Sequence, residues 1–114
     1  MIVNTSAGVP IEAEVLHNYF RRLVNHLFKI LPMRENNEES LKTYMQSLQV
    51  ELLGCQGLIT EIHEDSNYLT ILAILQYFID NPDCSVSEVK REVFRAISIC
   101  NKLQSRFLSE GVSL

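Results

Sequence analysis

The feature that most constrains the fold is a run of twelve residues, Tyr68 to Ile79, in which only Thr70 and Gln76 are neither apolar nor aromatic. A helix that is apolar on all sides belongs inside a domain, surrounded by other elements. The run is too short for a bilayer, which needs ~20 such residues, and longer than the ~4–8 residues of a typical buried strand. We therefore expect it to form the central helix of an all-α domain.

Three further helices are predicted, and the first runs from about Ile11 to Leu31. Pro32 ends it, because a proline ring is incompatible with the preceding helical turn. Its apolar stripe has helical spacing and consists of Leu16, Phe20, Leu23, Leu27 and Ile30. The residues before it include a glycine and a proline and show no helical period. They predict an extended or mobile segment at 1–10, ahead of a helical domain at 11–114.

The second of these helices follows a short polar loop. Asn36 is its expected N-cap, and Glu39 completes the pattern of a capping box. Helical spacing then continues over residues 41–62, with Gly54 and Gly57 inside the run. Each glycine costs ~1 kcal/mol relative to alanine in a helix interior. Three interpretations stay open: close approach of another helix, a bend at Gly54, or a locally weakened helix.

The last helix begins at the capping-box pattern Ser85-Val-Ser-Glu88 and ends at Gly111. One face carries seven residues at helical spacing: Val86, Val89, Val93, Ala96, Cys100, Leu103 and Phe107. Ser66 or Asn67 is the expected cap of the central helix. Short connections make consecutive helices antiparallel neighbours. The predicted architecture is therefore a single-domain four-helix bundle, up-and-down and antiparallel.

Charge and cysteine content narrow the class of partner. The net charge of −4 disfavours nucleic-acid binding by bulk charge and docking on anionic membranes. Residues 1–81 carry ten acids against five bases, whereas residues 82–114 carry four acids against five bases. Three scattered cysteines indicate reduced thiols, and the first ten residues lack the basic head and apolar run of a signal peptide. We expect a cytoplasmic protein with no membrane partner.

The sequence gives little indication of a catalytic or metal-binding site. Glu14 and His17 have the Glu-x-x-His spacing of di-iron bundles, but such a site needs a second copy and two more glutamates. Neither His26 nor His63 has a glutamate three residues before it. Cys84 follows an acidic residue that would raise its pKa, the opposite of what a nucleophile requires. The sequence predicts no catalytic activity, no metal or other cofactor, and no small-molecule substrate.

The last helix carries the most informative surface. Four bases at helical spacing fall within an arc of roughly 60° opposite the apolar face: Arg91, Arg95, Lys102 and Arg106. Three apolar residues form a second edge that one bundle does not obviously require: Phe94, Ile97 and Leu108. The bases are equally compatible with an ordinary solvated face. We interpret the seven residues as a partner-binding surface. Either this surface mediates self-association as a homodimer, or the protein is an adaptor or regulatory subunit that binds another protein through it.

An alternative function comes from a resemblance. The segment Ile74–Val89, with its apolar helix, Asn-Pro loop and serine–glutamate helix start, resembles the helix-turn-helix core of winged-helix regulators, and Ser105–Val112 resembles the step into the wing. The span is about a third of the chain and implies a DNA-binding transcriptional regulator with the last helix as recognition element. The sequence departs from the family where Val93–Ile97 continues a helix in place of a turn, and it stops before a two-stranded wing.

Overall fold

The computed structural model describes residues 2–5, 8 and 10–111, with the side chains of residues 2, 4 and 108–111 left out. Two short strands come first, β1 (Ile2–Asn4) and β2 (Pro10–Glu12). Five helices follow: α1 (Ala13–Phe28), α2 (Ile30–Glu35), α3 (Leu41–Leu58), α4 (Ser66–Asp80) and α5 (Val86–Gly111). A single 3-10 turn, Thr60–Ile62, lies between α3 and α4.

Helices α1, α3, α4 and α5 form an antiparallel four-helix bundle, which confirms the predicted all-α fold. Side-chain contacts fix the directions. Phe20, early in α1, stacks on Phe107, late in α5, while Phe28 at the end of α1 meets Phe94 near the start of α5. The order around the bundle is α1, α5, α4, α3. The side formed by α1 and α5 is therefore opposite the side formed by α3 and α4.

The N-terminal segment is extended where the structure describes it. Strand β1 pairs antiparallel with β2, and Val3 is opposite Ile11. Val3 is fully buried in the hydrophobic core, and Thr5 forms an isolated bridge with Ile59. Because Ile11 belongs to β2, the first helix begins at Ala13, two residues later than predicted. The division of the chain at residue 10 stays a prediction.

The predicted helix end at Pro32 is wrong. Helix α1 ends at Phe28, and a turn at Lys29 leads directly into α2. Pro32 is the third residue of α2, within its first turn. Proline is tolerated there because the first backbone N–H groups of a helix have no intrahelical partner. The chain thus changes direction before the proline, while Ile30 stays buried as the stripe predicted.

The predicted start of the next helix is also wrong. Asn36 follows the last residue of α2, and the expected polar loop from residue 33 is helical as far as Glu35. Helix α3 begins at Leu41 after Ser40, with no side-chain cap, so the capping box of Asn36 and Glu39 does not form. Asn37 has a φ of 52°, a left-handed conformation that asparagine adopts more readily than most residues.

Helix α3 continues through both of its glycines to Leu58. A methyl group added at Gly54 or Gly57 would meet no atom within 4 Å. Among the described residues, no other element approaches either glycine closely, so close approach of another helix does not explain them within one chain. The apolar residues keep a helical spacing beyond Leu58, but the helix does not continue there. Ile59 is extended, and the 3-10 turn follows it.

Helix α4 is not surrounded on all sides, so this part of the prediction is wrong. It buries seven residues: Tyr68, Ile71, Leu72, Ile74, Leu75, Phe78 and Ile79. However, Leu69, Ala73 and Tyr77, which recur every four residues, are exposed. A four-helix bundle gives each helix an outer face, so a run that is apolar all round leaves apolar residues in solvent. Helix α5 makes the broadest contacts, with α1, α2 and α4.

Asp65 links the start of α4 to the far end of α5. Its Oδ1 accepts a hydrogen bond of 3.0 Å from the backbone N–H of Tyr68, which makes Asp65 the N-cap in place of the predicted Ser66 or Asn67. Its Oδ2 accepts from the Arg106 guanidinium at 3.0 Å. One carboxylate therefore stabilises a helix start and joins two helices.

Ser85 caps α5 as predicted, because its hydroxyl accepts from the backbone N–H of Glu88 at 3.1 Å. The Glu88 carboxylate, the other member of the predicted capping box, accepts a hydrogen bond from the Tyr77 hydroxyl on α4. The pairing raises the pKa of Tyr77, chiefly through that hydrogen bond.

The centre of the core is aromatic and includes a buried thiol. The Phe20 ring meets Tyr68 edge-on and stacks on Phe107. The buried Tyr68 hydroxyl donates to the Leu52 carbonyl at 2.6 Å. The Cys100 thiol donates to the Phe20 carbonyl at 3.2 Å, and burial raises its pKa to about 12. Within the described residues, no helix combines the length and apolar character needed to span a membrane.

Candidate functional site

Apolar side chains on the outer surface divide between the two opposite sides of the bundle. Nine large ones are exposed among the described residues: Val15, Phe28, Val50, Leu53, Leu58, Leu69, Tyr77, Val86 and Phe94. Five belong to α3 and α4, and four belong to α1 and α5. These surfaces are the candidates for binding.

The predicted apolar edge of the last helix is only partly present. Phe94 is 44% exposed, as expected, but Ile97 is only 6% exposed and belongs to the core. The expectation that the bundle does not require Ile97 is therefore wrong. Helix α5 packs against three other helices, so its buried arc is wide enough to include this residue. The side chain of Leu108 lies outside the described residues, and its role stays a prediction.

Two of the predicted bases form ion pairs on the surface of α5. Arg95 reaches Glu92 at 3.2 Å, and Arg91 lies 3.4 Å from Glu92 and 3.9 Å from Glu88. Both arginine side chains remain more than half exposed, at 59% and 70%. Exposed pairs of this kind are worth ~0–1 kcal/mol, so the guanidinium groups remain accessible to a partner. Lys102 is exposed on the same face.

Arg106, the fourth predicted base, has a structural role. Its guanidinium pairs with Asp65 and lies 5.2 Å above the centre of the Phe107 ring. This cation–π contact and the ion pair direct the side chain toward α4. Arg106 is therefore on the opposite side of α5 from Phe94, and the seven predicted residues do not form one continuous patch.

An aromatic pair joins the outer edges of α1 and α5. The rings of Phe28 and Phe94 meet edge to face with centroids 5.9 Å apart, and they are 43% and 44% exposed. Sequence reasoning missed Phe28. Its position in the sequence could have indicated it. Phe28 follows Leu27 and lies off the buried stripe of α1, so a large aromatic side chain there is not expected to pack in the core.

The surroundings of this pair are basic. Lys90 and Arg91 precede Phe94 by one helical turn, and Arg21 precedes Phe28 by two. No acidic residue occupies a position three or four residues from either phenylalanine. We call this region, formed by Phe28, Phe94, Arg21, Lys90 and Arg91, the α1/α5 surface.

A shallow groove of about 560 Å³ runs between α4 and α5. Its floor includes Leu69, Ala73 and Tyr77, and its α5 wall consists of Glu88, Glu92 and Arg95. The acids of this wall are already paired with arginines, so it presents little net charge to a ligand.

A smaller cleft of about 320 Å³ lies at the end of the bundle beside α2. Met45 and Phe78 are among its apolar lining residues, and both acidic and basic side chains also line it. Within it, the Arg34 guanidinium donates to the Cys84 carbonyl at 3.0 Å and to Asn37 Oδ1 at 3.1 Å. These bonds hold α2 against the α4–α5 connection, which gives the arginine a structural role.

The three cysteines have raised pKa values, and the His17 ring forms a hydrogen bond. Burial is the main cause of a raised pKa at Cys55, Cys84 and Cys100, whereas a nucleophilic thiol needs a lowered one. The acidic neighbour Glu88 adds to the effect at Cys84. The His17 ring donates from Nδ1 to the Gln104 carbonyl at 2.9 Å. In the described part of the chain, no three His, Cys, Asp or Glu residues group closely enough to hold a metal.

Comparison with models of known protein families, with curated proteins and with solved structures gives no significant match to this chain. A function for this protein must therefore be argued from its own surfaces.

Proposed function

We propose that this protein is a non-catalytic binding module that captures an acidic amphipathic helix of a partner protein on the α1/α5 surface. The observation that carries the proposal is the edge-to-face pair of Phe28 and Phe94, two half-exposed rings fixed on adjacent helices. Aromatic residues and arginine are enriched at protein interfaces, where they act as anchors. A cytoplasmic location, consistent with three free cysteines, is part of the same proposal.

Charge supports an acidic partner. The chain has a net charge of −4 overall, yet the α1/α5 surface carries three bases around its aromatic pair. Complementary charge around an apolar anchor speeds association and selects the partner. A partner helix that packs along the outer edges of these two antiparallel helices would place apolar residues at i, i+3, i+4 and i+7 on the rings.

DNA binding is the second candidate, because the same bases would attract phosphates. One feature favours a protein partner instead. Helix α5 is uninterrupted from Val86 to Gly111, whereas a helix-turn-helix core needs a turn within this region.

The test is selection from a displayed library of helical peptides, each about 16 residues long. The selected peptides (the winners) should carry Asp or Glu on the flanks of an apolar stripe. Affinity for a synthetic winner, measured by fluorescence anisotropy, should fall at least about tenfold in Phe94→Glu, which corresponds to ~1.4 kcal/mol. Phe28→Glu should behave in the same way, because both rings form one anchor.

Val50→Glu is the matched control, since Val50 is also an exposed apolar residue but belongs to α3, on the side of the bundle opposite α1 and α5. It should leave peptide affinity within about twofold of the parent, less than ~0.5 kcal/mol. Winners without an acidic bias, or equal binding by Phe94→Glu, would refute the proposal. Retention of duplex DNA with a steep salt dependence, abolished by Arg91→Glu, would favour the regulator instead.

A further inference from the structure

The side of the bundle opposite the α1/α5 surface is apolar and lacks charge over most of its length. Val50 is 68% exposed, the highest value among the large apolar residues whose side chains the structure describes, and Leu53 is 49% exposed on the same helix. Leu69, on α4, is 43% exposed, and Ala73 follows it by one turn. We call the surface formed by Val50, Leu53, Leu69 and Ala73 the α3/α4 face.

A side-chain hydrogen bond shows that these residues form one surface. Gln49 Nε2 on α3 donates to Gln76 Oε1 on α4 at 2.6 Å, so both glutamines lie on the outer seam between the two helices. Leu53 is one turn after Gln49, and Leu69 is two turns before Gln76, so each leucine lies on the same side of its helix as the glutamine. In an antiparallel pair, both positions are displaced toward the same end of the seam.

Charged residues border this surface on three sides. Lys42 and Asp80 are exposed at the end of the helix pair where α3 begins and α4 ends. Glu51 lines a cleft with side chains of α1, and therefore belongs to the other side of α3. Toward α5, the wall of the groove beside α4 carries the ion-paired Glu92 and Arg95.

We propose that the α3/α4 face is the interface of a homodimer, in which a second copy of this chain covers it through the same surface. Electrostatics favours this face over the others for self-association. Two copies that each carry a net charge of −4 repel one another, and the repulsion is smallest where uncharged surfaces meet. The basic α1/α5 surface would repel its own copy. A two-fold axis through the α3/α4 face places identical uncharged surfaces together.

The area of the helix pair approaches what a dimer requires. Helices of 18 and 15 residues are about 27 and 22 Å long, and two packed helices present a width of about 20 Å. The projected area is about 500 Å², and the accessible area of uneven side chains exceeds the projection. This approaches the ~600–800 Å² per partner that stable interfaces bury. The dimer would display its two α1/α5 surfaces on opposite outer sides.

Light scattering coupled to size exclusion tests the proposal on the complete chain. The parent should elute with a mass of about 26 kDa, twice the 13.1 kDa of one chain. Val50→Asp should raise the dimer dissociation constant at least about tenfold, which sedimentation equilibrium measures. Leu69→Glu, on the other helix, should do the same. Because both residues are largely exposed, circular dichroism of each variant should retain the helical spectrum.

Phe94→Glu is the control on the opposite side of the bundle and should leave the dimer intact. The dimer should also persist from about 50 to 500 mM NaCl, because uncharged surfaces are not screened. A monomeric parent at all concentrations, or a dimer broken by Phe94→Glu and not by Val50→Asp, would overturn the inference. Peptide affinity per protomer is measured separately, and Val50→Asp should leave it unchanged, so failure of the dimer is distinguishable from failure of the proposed function.

Discussion

The relation between Val93 and Val86 offers a quantitative test of how α5 packs. Both are valines on one helix, but Val93 is fully buried and Val86 is 40% exposed. Replacing Val93 with alanine deletes two buried methyl groups, each worth ~0.8 kcal/mol in transfer free energy, and adds a cavity term. Alanine recovers up to ~0.5 kcal/mol through its higher helix propensity. The free energy of unfolding should therefore fall by about 2 kcal/mol.

Val86→Ala is the matched comparison. The transfer loss is about 1 kcal/mol because part of the side chain is already in solvent, and the helix-propensity gain offsets about half of it. Urea unfolding followed by circular dichroism, at one protein concentration, should separate the variants by about 1.5–2 kcal/mol with equal m values. For 114 residues, the Val93 effect corresponds to a melting shift of about 8 °C. Equal losses in both variants would show that the packing of α5 is wrong.

Three further substitutions probe the core. Leu75→Asp should abolish cooperative thermal unfolding, because an unpaired charge replaces a fully buried side chain; a melt near that of the parent would contradict this. Tyr68→Phe should reduce the free energy of unfolding by ~0.5–1.5 kcal/mol, since the buried Leu52 carbonyl loses a donor; an unchanged urea midpoint would refute that role. Burial raises the pKa of Cys100 from 9.0 to about 12. The contribution of its thiol to the free energy of unfolding is therefore fully present below pH 9 and is lost as the pH rises from 9 to 12. Cys100→Ala should therefore flatten the fall in stability over that interval by up to ~1.4 kcal/mol per pH unit, whereas Cys84→Ala, at a less buried site, should flatten it less.

The periodicity of apolar residues was sufficient to predict the helix faces that form the core. All five residues of the α1 stripe are buried, from Leu16 to Ile30. On α5, six of the seven predicted residues are buried, but the prediction is wrong for Val86, the first residue of the helix, which is 40% exposed. Side-chain direction in a helix depends only on its ~100° rotation per residue, so the buried face follows from the sequence without knowledge of its partners.

Helix boundaries were less accessible to sequence reasoning. Pro32 and Asn36 both carry strong local signals, yet α2 passes through the first and ends at the second. Capping and propensity terms are ~1 kcal/mol each, and tertiary contacts readily outweigh them. Burial of Ile30 and the bonds of Arg34 to Asn37 and Cys84 accompany this short helix. Such contacts join residues far apart in sequence, so no local pattern reveals them.

The candidate surfaces depended on tertiary structure for the same reason. The sequence alone indicated that Phe94 lies off the α5 stripe, and the structure places it on the surface beside Phe28. The sequence did not distinguish the exposed Phe94 from the buried Ile97, because the width of the buried arc of a helix depends on how many helices pack around it. Three helices contact α5 and cover Ile97. By contrast, α4 has an uncovered outer side. Leu69 is therefore exposed, although the sequence of α4 is as apolar as that of a core helix. Helical geometry sets the direction of each side chain, but only the arrangement of neighbouring helices decides whether that direction leads into the core or into solvent.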